Sequence, residues 1–436
     1  MITSLQALAT ARCQTLHFKF VMSNQRGISD ATGEPGDVTH SRSSRDKQIS
    51  MPLNNPIRTW HARRVLALLA LHCLFAVPAS AQSGASSTPE ARVVEAVCNK
   101  QIVVLGELPS HGEARGFQAK ARIAQRLIER CGFDAVLFEA PIYDFIGFQQ
   151  AAAQRRATPL QLDRAIGRFW STRELAEWRG WLYRRAVSGT LVLGGLDDQV
   201  SVTSEYARAT LPGLVGASAG TECEQSVTRN LNWRYDEAHA FDEPERVRLH
   251  RCARAAADAL ASRGAGTPEQ VMAENLAGYF HRQLAPTEAR TRDEAMYRNF
   301  VWQSGRMPRG SKWIVWTATV HAARRQGTLI EKPLGTWLAE RWGDRVGVIG
   351  FSALTGRSSR AGRPSEALSE APPGSLEAQA LGTRAASAYL DRRALRRIGS
   401  APSRLFGRFT SADWSTNFDG VVVFREEVAP VFDPLP

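Results

Sequence analysis

Short, wholly apolar runs alternate with segments of helical periodicity along most of the chain. The runs at residues 102–105 and 135–138 flank a segment, 115–130, in which apolar residues recur at helical spacing. Further runs lie at 190–196, 312–321, 345–351 and 420–424. Apolar runs separated by helices are typical of parallel strands that are buried on both faces. We therefore predict an α/β fold with a mostly parallel central sheet flanked by helices.

Titratable residues follow four of these runs. Glu107, Glu139 and Asp197 come at the ends of the first three, His321 ends the run at 312–321, and His111 lies four residues after Glu107. In parallel sheets the ligand site lies beyond the carboxyl ends of the strands. A buried charge without a partner costs several kcal/mol, so packing alone does not account for these residues. We expect them to converge in one crevice.

This set of side chains suits hydrolysis by general acid–base catalysis. One histidine takes a proton from water, carboxylates hold its tautomer, and the second histidine donates a proton to the oxyanion or leaving group. The alternative is that the charged residues cap helices or pair with nearby arginines. The same side chains are able to bind a metal, but the spacing of Glu107 and His111 is not a recognised metal signature. We expect no metal and no other cofactor.

The N-terminal 81 residues are interpreted as lying outside the working protein. Residues 1–50 are polar and lack periodicity, and Met51 offers a second start, so we expect 1–50 to be a non-native extension. Residues 51–81 contain a basic segment, an apolar core at 65–77 and small residues ending at Ala81, a pattern typical of a secretory signal peptide. The core is too short to span a bilayer. A membrane anchor or a buried helix is the alternative.

Residues 82–436 are long enough for one large domain, which we expect to be periplasmic or secreted without a membrane anchor. Within it, residues from about 200 to 305 are helical and poor in strands, so we predict a helical insertion. An even number of cysteines in an exported protein suggests disulfides. Cys98 and Cys131 precede the first two strands, which are expected to be neighbours. We therefore favour the pairs 98–131 and 223–252.

The net charge of +12 does not indicate a nucleic-acid partner. Basic residues are not interleaved with aromatic ones, and the arginines at 392–397 are interpreted as one face of a solvated helix. Tryptophans at 170, 178 and 181 belong to a helix predicted over 169–187, where they line either a substrate pocket or the core. The long loop predicted at 353–375 is typical of a mobile lid or a binding loop.

Serine and histidine residues elsewhere in the chain have weaker claims to a role. Ser218 lies in a Gly-x-Ser-x-Gly sequence, which suits a nucleophile elbow only between a strand and a helix. The alternative is a flexible loop. His239, His250 and His281 are interpreted as surface histidines.

The combined motifs resemble the erythromycin esterase family. The shared pattern is spread over nearly all of residues 82–436 and comprises Gly106-Glu107, His111-Gly112, Lys120, Gly132-Phe133-Asp134, Phe138-Glu139-Ala140, Phe169 to Glu174, Gly195 to Asp197, Arg292-Asp293, Met296, Asn299, Trp302, Trp316, His321 and Phe418-Asp419. The resemblance implies an α/β core with a helical region and hydrolysis of a macrolide lactone ester by histidine-activated water.

The resemblance also implies roles for individual residues. His111 corresponds to the general base, Glu107, Glu139 and His321 to supporting acidic and histidine positions, and Lys120 to a basic position of the cleft. We add Asp197 and Trp170 as substrate-binding candidates, with a small-molecule ester or lactone as the substrate.

The sequence departs from the family pattern at two places. Three residues instead of two separate Glu107 from His111, and Ala318 and Thr319 stand where the family carries a histidine and an asparagine. A non-catalytic protein that binds a ligand, haem or iron on the same scaffold is therefore the second hypothesis, and a serine esterase using Ser218 is the third.

Overall fold

The computed structural model describes residues 88–201, 204–232, 241–327, 329 and 331–434. The expected extension at 1–50, the expected signal peptide at 51–81 and His239 lie outside these residues. Within them, no helix has the length and apolar character that a membrane span requires.

An eight-stranded sheet forms the centre of the described chain. Strands β1 to β7 and β10 run in the order β3–β2–β4–β1–β5–β10–β7, and β6 pairs with β5. Within this sheet, β6 pairs antiparallel with β5 and β7 pairs antiparallel with β10, while the other pairs are parallel. The prediction of a mostly parallel sheet is therefore confirmed. The strands are β1 (Ile102–Glu107), β2 (Ala135–Pro141), β3 (Val192–Asp197), β4 (Trp313–Ala318), β5 (Val346–Ser358), β6 (Glu366–Ala367), β7 (Ser387–Asp391), β8 (Ser400–Ser403), β9 (Thr410–Asp413) and β10 (Gly420–Glu427), of which β8 and β9 form a separate hairpin.

Helices cover both faces of the sheet, and five of them lie between β3 and β4. Helices before β3 are α1 (Pro89–Val97), α2 (Ala114–Cys131), α3 (Ile142–Ala153), α4 (Pro159–Ile166) and α5 (Ala176–Val187). The helical region comprises α6 (Glu205–Ala219), α7 (Thr221–Leu231), α8 (Glu243–Ala261), α9 (Pro268–Leu284) and α10 (Arg292–Gly305). After β4 come α11 (Thr319–Ala322), α12 (Leu334–Trp342), α13 (Leu376–Leu381) and α14 (Arg392–Ile398).

Strand β1 shows why the apolar runs become central strands. Val103 and Leu105 belong to the core on one face of the sheet, while Ile102 and Val104 belong to the core on the other. Successive side chains of a strand point to opposite faces, so a run without polar residues needs cover on both sides. The helical region has a separate apolar core of its own.

The two disulfides are those that the sequence analysis favours, Cys98–Cys131 and Cys223–Cys252. One premise of that prediction is wrong, because β4 lies between β1 and β2 and the strands after Cys98 and Cys131 are not neighbours. The bond instead joins the segment after α1 to the last residue of α2. Gly132 ends α2 in the left-handed conformation, with φ of 68°, which glycine adopts without steric cost.

The helix predicted over 169–187 is shorter than expected. Regular α-helix begins only at Ala176, after a single 3-10 turn at Arg173–Leu175. Trp170 precedes the helix, and its ring is buried. Trp178 is also buried and stacks on Trp316 at a centroid distance of 4.6 Å. These tryptophans therefore belong to the core.

Three further expectations are wrong. Ser218 is in the last turn of α6 and not in a loop or in a strand–turn–helix elbow, so it lacks the geometry of an activated nucleophile. The segment 353–375 is partly regular, because β5 continues to Ser358 and pairs there with β6. The run at 312–321 stops being a strand at Ala318, and His321 lies on the short helix α11.

Candidate active site

Side chains from three adjacent strands meet at the carboxyl edge of the sheet. Because β4 lies between β1 and β2, the ends of β1 at Glu107, of β2 at Glu139 and of β4 are neighbours. Glu107 pairs in register with Ala318, three residues before His321. His111 follows β1, and its Nε2 lies 3.9 Å from Oε1 of Glu139. The fold thus brings together the four residues expected to be catalytic.

The position of His111 is fixed through its Nδ1, which lies 3.0 Å from Oε1 of Glu107. A carboxylate can only accept, so Nδ1 carries the proton and the lone pair of Nε2 is left free. The three intervening residues form a turn closed by the His111 N–H donating to the carbonyl of Leu108 at 3.0 Å. His111 has φ of 49°, in the left-handed region. The turn accommodates the extra residue of this loop.

Aromatic rings enclose the imidazole of His111. Phe169 stacks on it at a centroid distance of 4.8 Å, and Trp170 approaches edge-on at 5.4 Å. Burial lowers the pKa of His111 below its ordinary value, while the charges of Glu139 and Glu113 act in the opposite direction. A histidine that is neutral at neutral pH is in the form that accepts a proton.

Glu107 is held in turn by Trp170 and Lys120. The indole Nε1 of Trp170 donates to Oε1 of Glu107 at 2.8 Å, and the Lys120 ammonium forms an ion pair with Oε2. Both supporting side chains are almost completely buried. They lie behind Glu107, so this geometry suits positioning of the carboxylate and does not suit the substrate contact expected for Lys120 and Trp170.

Lys120 has two additional contacts in the core. Its ammonium donates to the carbonyl of Thr317 at 3.2 Å and lies 4.2 Å from the centre of a Trp316 ring. Burial lowers the pKa of Lys120 well below its ordinary value, and the charge of Glu139 opposes this shift.

Glu139 lies between the two histidines. Its Oε2 accepts hydrogen bonds from the Thr317 hydroxyl at 2.7 Å and the Ala318 N–H at 2.8 Å. Its Oε1 accepts from Arg292 Nη2 at 2.9 Å and lies 3.2 Å from Nε2 of His321. Burial acts to raise the pKa of Glu139, but His321 and Arg292 together hold it well below its ordinary value. Glu139 is therefore a fixed negative charge.

His321 is surrounded by groups that favour its charged form. Both carboxylate oxygens of Asp293 lie 2.9 Å from Nδ1. Burial acts to lower the pKa of His321, but Glu139 and Asp293 raise it to about 10. Nε2 also lies 3.0 Å from Nη1 of Arg292. This nitrogen therefore donates to Glu139 when it is protonated and accepts from Arg292 when it is neutral.

Asp197 belongs to the cluster through Arg292. The guanidinium contacts both oxygens of Asp197, with Nη2 at 2.7 Å from Oδ2. Burial acts to lower the pKa of Arg292, but Asp197 and Glu139 hold it well above its ordinary value. Arg292 and Asp293 open α10 and belong to the family pattern, but the sequence analysis assigns neither of them a role in the site.

The residues at the two departures from the family pattern supply no acid or base. Ala318 contributes its backbone N–H to Glu139. Thr319 donates its hydroxyl to the carbonyl of Leu405, in the loop after β8. His321 is thus the only histidine of the β4–α11 junction.

The other two histidines that the structure describes, His250 and His281, lie away from this cluster. His250 and His281 stack on each other in the helical region, at a centroid distance of 4.6 Å. In the described ranges, no group of three or more histidine, cysteine, aspartate or glutamate side chains has the geometry of a metal site.

A cavity of about 380 Å3 adjoins the segment that carries Phe169. Its walls include the loop at 167–171, the start of α6 and the C-terminal residues 432–434. The charged lining residues are Asp163, Arg164, Arg168, Arg179, Glu205, Arg208 and Asp433.

Two of the four arginines in this cavity are neutralised by carboxylates. Arg179 pairs with Asp163 and Asp433, at 2.7 and 2.5 Å, and Arg164 pairs with Glu205. Arg168 and Arg208 form no salt bridge with any described residue. Arg208 donates through Nε to the carbonyl of Ser204 at 3.3 Å. The cavity therefore contains two guanidinium groups without a salt-bridge partner among the described residues.

Comparison with solved structures identifies a similar fold in three other proteins. A Bacillus cereus protein has a TM-score of 0.62 and 17% identity, with 80% of this chain and 94% of that chain covered. A succinoglycan biosynthesis protein has a TM-score of 0.59 and 16% identity, with 78% and 91% covered. A histidine mutant of erythromycin esterase EreC in its open conformation has a TM-score of 0.52 and 17% identity, with 77% and 93% covered.

The family assignment rests on the amino-acid sequence. No curated protein matches it significantly. The erythromycin esterase family, however, matches residues 128–427, which is more than half of the chain. The protein therefore belongs to the erythromycin esterase family.

Proposed function

We propose that this protein hydrolyses a carboxylic ester or lactone and that His111 activates the attacking water. The observation that carries the proposal is the contact of His111 Nδ1 with Oε1 of Glu107 at 3.0 Å, which leaves Nε2 free beside Glu139. A water that touches both Nε2 and Oε1 of Glu139 at about 2.8 Å fits a separation of 3.9 Å between those atoms. Membership of a hydrolase family supports the same reaction class.

The first step adds water to the substrate carbonyl. Nε2 of His111 takes the proton as the water oxygen bonds to the carbonyl carbon. Glu107 holds the imidazole and stabilises the imidazolium that forms, as does the nearby charge of Glu139. Arg292 and protonated His321 supply positive charge for the oxyanion.

The second step expels the alcohol. The tetrahedral intermediate collapses, the ester C–O bond breaks, and Nε2 of His321 donates its proton to the departing oxygen. Neutral His321 then accepts a hydrogen bond from Arg292 at the 3.0 Å contact. Transfer of the proton from His111 through solvent to His321 restores both starting states.

Lys120, Trp170 and Asp197 act indirectly in this scheme. Lys120 and Trp170 hold Glu107, and Asp197 holds Arg292. The substrate itself would extend from the histidines toward the cavity beside Phe169. Because Arg168 and Arg208 have no carboxylate partner there, we propose an ester or lactone that carries an anionic group.

The test of the reaction compares the purified protein with His111→Ala on aryl esters and macrolactones. We expect kcat/KM to fall by about 10³-fold in His111→Ala, in the range of a lost general base, with or without EDTA. His250→Ala, which removes an imidazole of the helical region, is the matched control. Full activity in His111→Ala would exclude the mechanism, and an inactive parent that binds a chromophore would favour the ligand-binding alternative.

We also propose that the protein is exported to the periplasm or secreted. Two disulfides support this, because such bonds persist in oxidising compartments. Cell fractionation with N-terminal sequencing tests the proposal. We expect the mature protein outside the cytoplasm to begin at residue 82.

A further inference from the structure

Glu113 holds the residues on both sides of His111. One of its carboxylate oxygens accepts from the hydroxyl of Ser110, and the other accepts from the N–H of Gly112 at 2.9 Å. Glu113 is 2% exposed, although it lies at the N-terminal boundary of α2. A buried carboxylate that reaches back over its own loop constrains the backbone between its two donors.

The backbone of His111 requires such a constraint. Its φ of 49° is unfavourable for a residue with a Cβ and persists only where the surroundings enforce it. Gly112 is fixed on its far side by Ser359, whose N–H donates to the Gly112 carbonyl at 3.1 Å. A Cβ at Gly112 would lie 2.2 Å from the Ser359 carbonyl oxygen. The loop is therefore closely fitted on both sides of His111.

Glu113 also places a charge near the imidazole. Its charge raises the pKa of His111, as the charge of Glu139 does, while Arg292 and His321 lower it. The charge of Glu113 also acts on Glu427 at the end of β10 and on Arg404 after β8.

The state of Glu113 depends on this surrounding set of charges. Burial raises the pKa of Glu113, and His111 opposes that shift. Burial raises the pKa of Glu427 to about 7, and the charge of Glu113 acts in the same direction. Glu427 accepts hydrogen bonds from the N–H groups of Arg115 and Gly116, at 2.6 and 3.2 Å, so it is fixed to the start of α2.

We propose that Glu113 is a second positioning residue of His111, in addition to Glu107: its carboxylate fixes the Ser110–Gly112 turn and contributes to the charge beside the imidazole. This inference rests on the proposed function, in which His111 is the general base. It assigns Glu113 no contact with the substrate or with the reacting atoms.

A comparison of Glu113→Gln with Glu113→Asp distinguishes the effect of the position of the Glu113 carboxylate from the effect of its charge. In Glu113→Gln we expect kcat/KM to fall by about tenfold, because one carboxylate acceptor becomes an amide donor. The acid limb of the kcat/KM profile should also move to lower pH, since a negative charge beside His111 is lost. In Glu113→Asp the charge remains but the side chain is shorter, so kcat should fall while the acid limb stays near its original pH.

Glu377→Gln is the matched control. Glu377 is also fully buried and accepts from two serine hydroxyls and a backbone N–H, but it has no contact with the Ser110–Gly112 turn. We expect this variant to lose thermal stability without a shift of the acid limb.

An NMR titration of the His111 imidazole measures the pKa of His111 directly, in the absence of substrate. The His111 signal is assigned by its loss in His111→Ala. The His111 pKa should be lower in Glu113→Gln than in the parent. An unchanged titration, with kcat/KM also unchanged, would overturn the inference. So would a Glu113→Gln protein that differs from the parent only in melting temperature. Full activity in His111→Ala would instead overturn the proposed function, and the titration would still decide whether Glu113 acts on His111.

Discussion

Nε2 of His321 lies 3.2 Å from Oε1 of Glu139, while Nε2 of His111 lies 3.9 Å from the same oxygen. The two histidines share one carboxylate but differ in charge. His111 gains its protonated form at a lower pH than usual because it is buried. His321 loses its proton only near pH 10 because two carboxylates face it. In the proposed mechanism, this difference makes His111 the base and His321 the acid.

The first prediction concerns the pH dependence of kcat/KM. On acidification, activity should be lost as His111 gains a proton. This loss should occur below pH 6.5, the ordinary pKa of histidine, because the pKa of His111 is lowered. Activity should be lost on alkalinisation as His321 loses a proton, at about pH 10. His321→Gln should lower kcat/KM by about 10²-fold and abolish the alkaline limb. If kcat/KM of the parent protein continued to rise above pH 10, this result would contradict the role of His321.

The second prediction uses the ion pair between Glu107 and Lys120. Glu107→Gln removes the acceptor that fixes the His111 tautomer and leaves the Lys120 ammonium buried without its carboxylate. We expect kcat/KM to fall by about 10²- to 10⁴-fold and the melting temperature to fall as well.

The double variant Glu107→Gln/Lys120→Met distinguishes these two effects. Removing both charges should recover much of the thermal stability, because no unpaired buried charge remains. Activity should not recover, because His111 still lacks a carboxylate. Thermal melts and kinetics on all three variants measure the comparison, and an active double variant would contradict the role of Glu107.

The central strands could be predicted from the sequence because they are buried on both faces. Residues 102–105 and 135–138 contain no polar side chain, and such runs have few other stable arrangements. The strand β7 is only partly buried, and β8 and β9 are rich in serine, alanine and polar residues. These strands form where a neighbouring segment supplies a partner, which the local sequence does not indicate.

The candidate site could be predicted only where its residues follow strands. Glu107 and Glu139 are marked by the abrupt end of an apolar run. Arg292 has no such signal, because it opens a helix and reaches the sheet edge only through the packing of the helical region. The aromatic residues at 169 and 170 have helical spacing with later ones, yet they lie in a turn because they contact His111 and Glu107.

The third prediction concerns the Cys98–Cys131 bond. The two cysteines are separated by 33 positions in the sequence, and the segment between them includes β1 and the His111 loop. The bond lies before the amino ends of β1 and β2. Lys312 donates to the carbonyls of both cysteines, at 2.6 and 2.7 Å, so the local geometry is also held without the bond.

The variant Cys98→Ser/Cys131→Ser should therefore lose stability and keep its activity. Loss of loop closure in the unfolded chain predicts a decrease of about 2–4 kcal/mol in the free energy of unfolding. The histidines lie at the opposite edge of the sheet, so kcat/KM should stay near the parent value below the melting temperature. Denaturant unfolding and kinetics test both parts, and a large loss of activity in the folded variant would contradict the second.

The fourth prediction concerns the choice of substrate at Arg168 and Arg208. Both guanidinium groups line the cavity beside Phe169 and have no salt bridge among the described residues. An ester whose acyl chain ends in a carboxylate should pair with them, whereas its neutral analogue of similar length should not. We therefore compare the p-nitrophenyl monoester of glutarate with p-nitrophenyl butyrate.

In the parent protein, kcat/KM should be higher for the glutarate monoester. Arg168→Gln/Arg208→Gln should lower kcat/KM for that ester by about tenfold, through KM, because two charge-assisted contacts are lost. The value for the butyrate ester should remain unchanged, since the histidine cluster is intact. Arg126→Gln removes an arginine of α2 that does not line the cavity, and this variant is the control. Equal losses for both esters would show that these arginines affect the fold of the site and not the recognition of an anion.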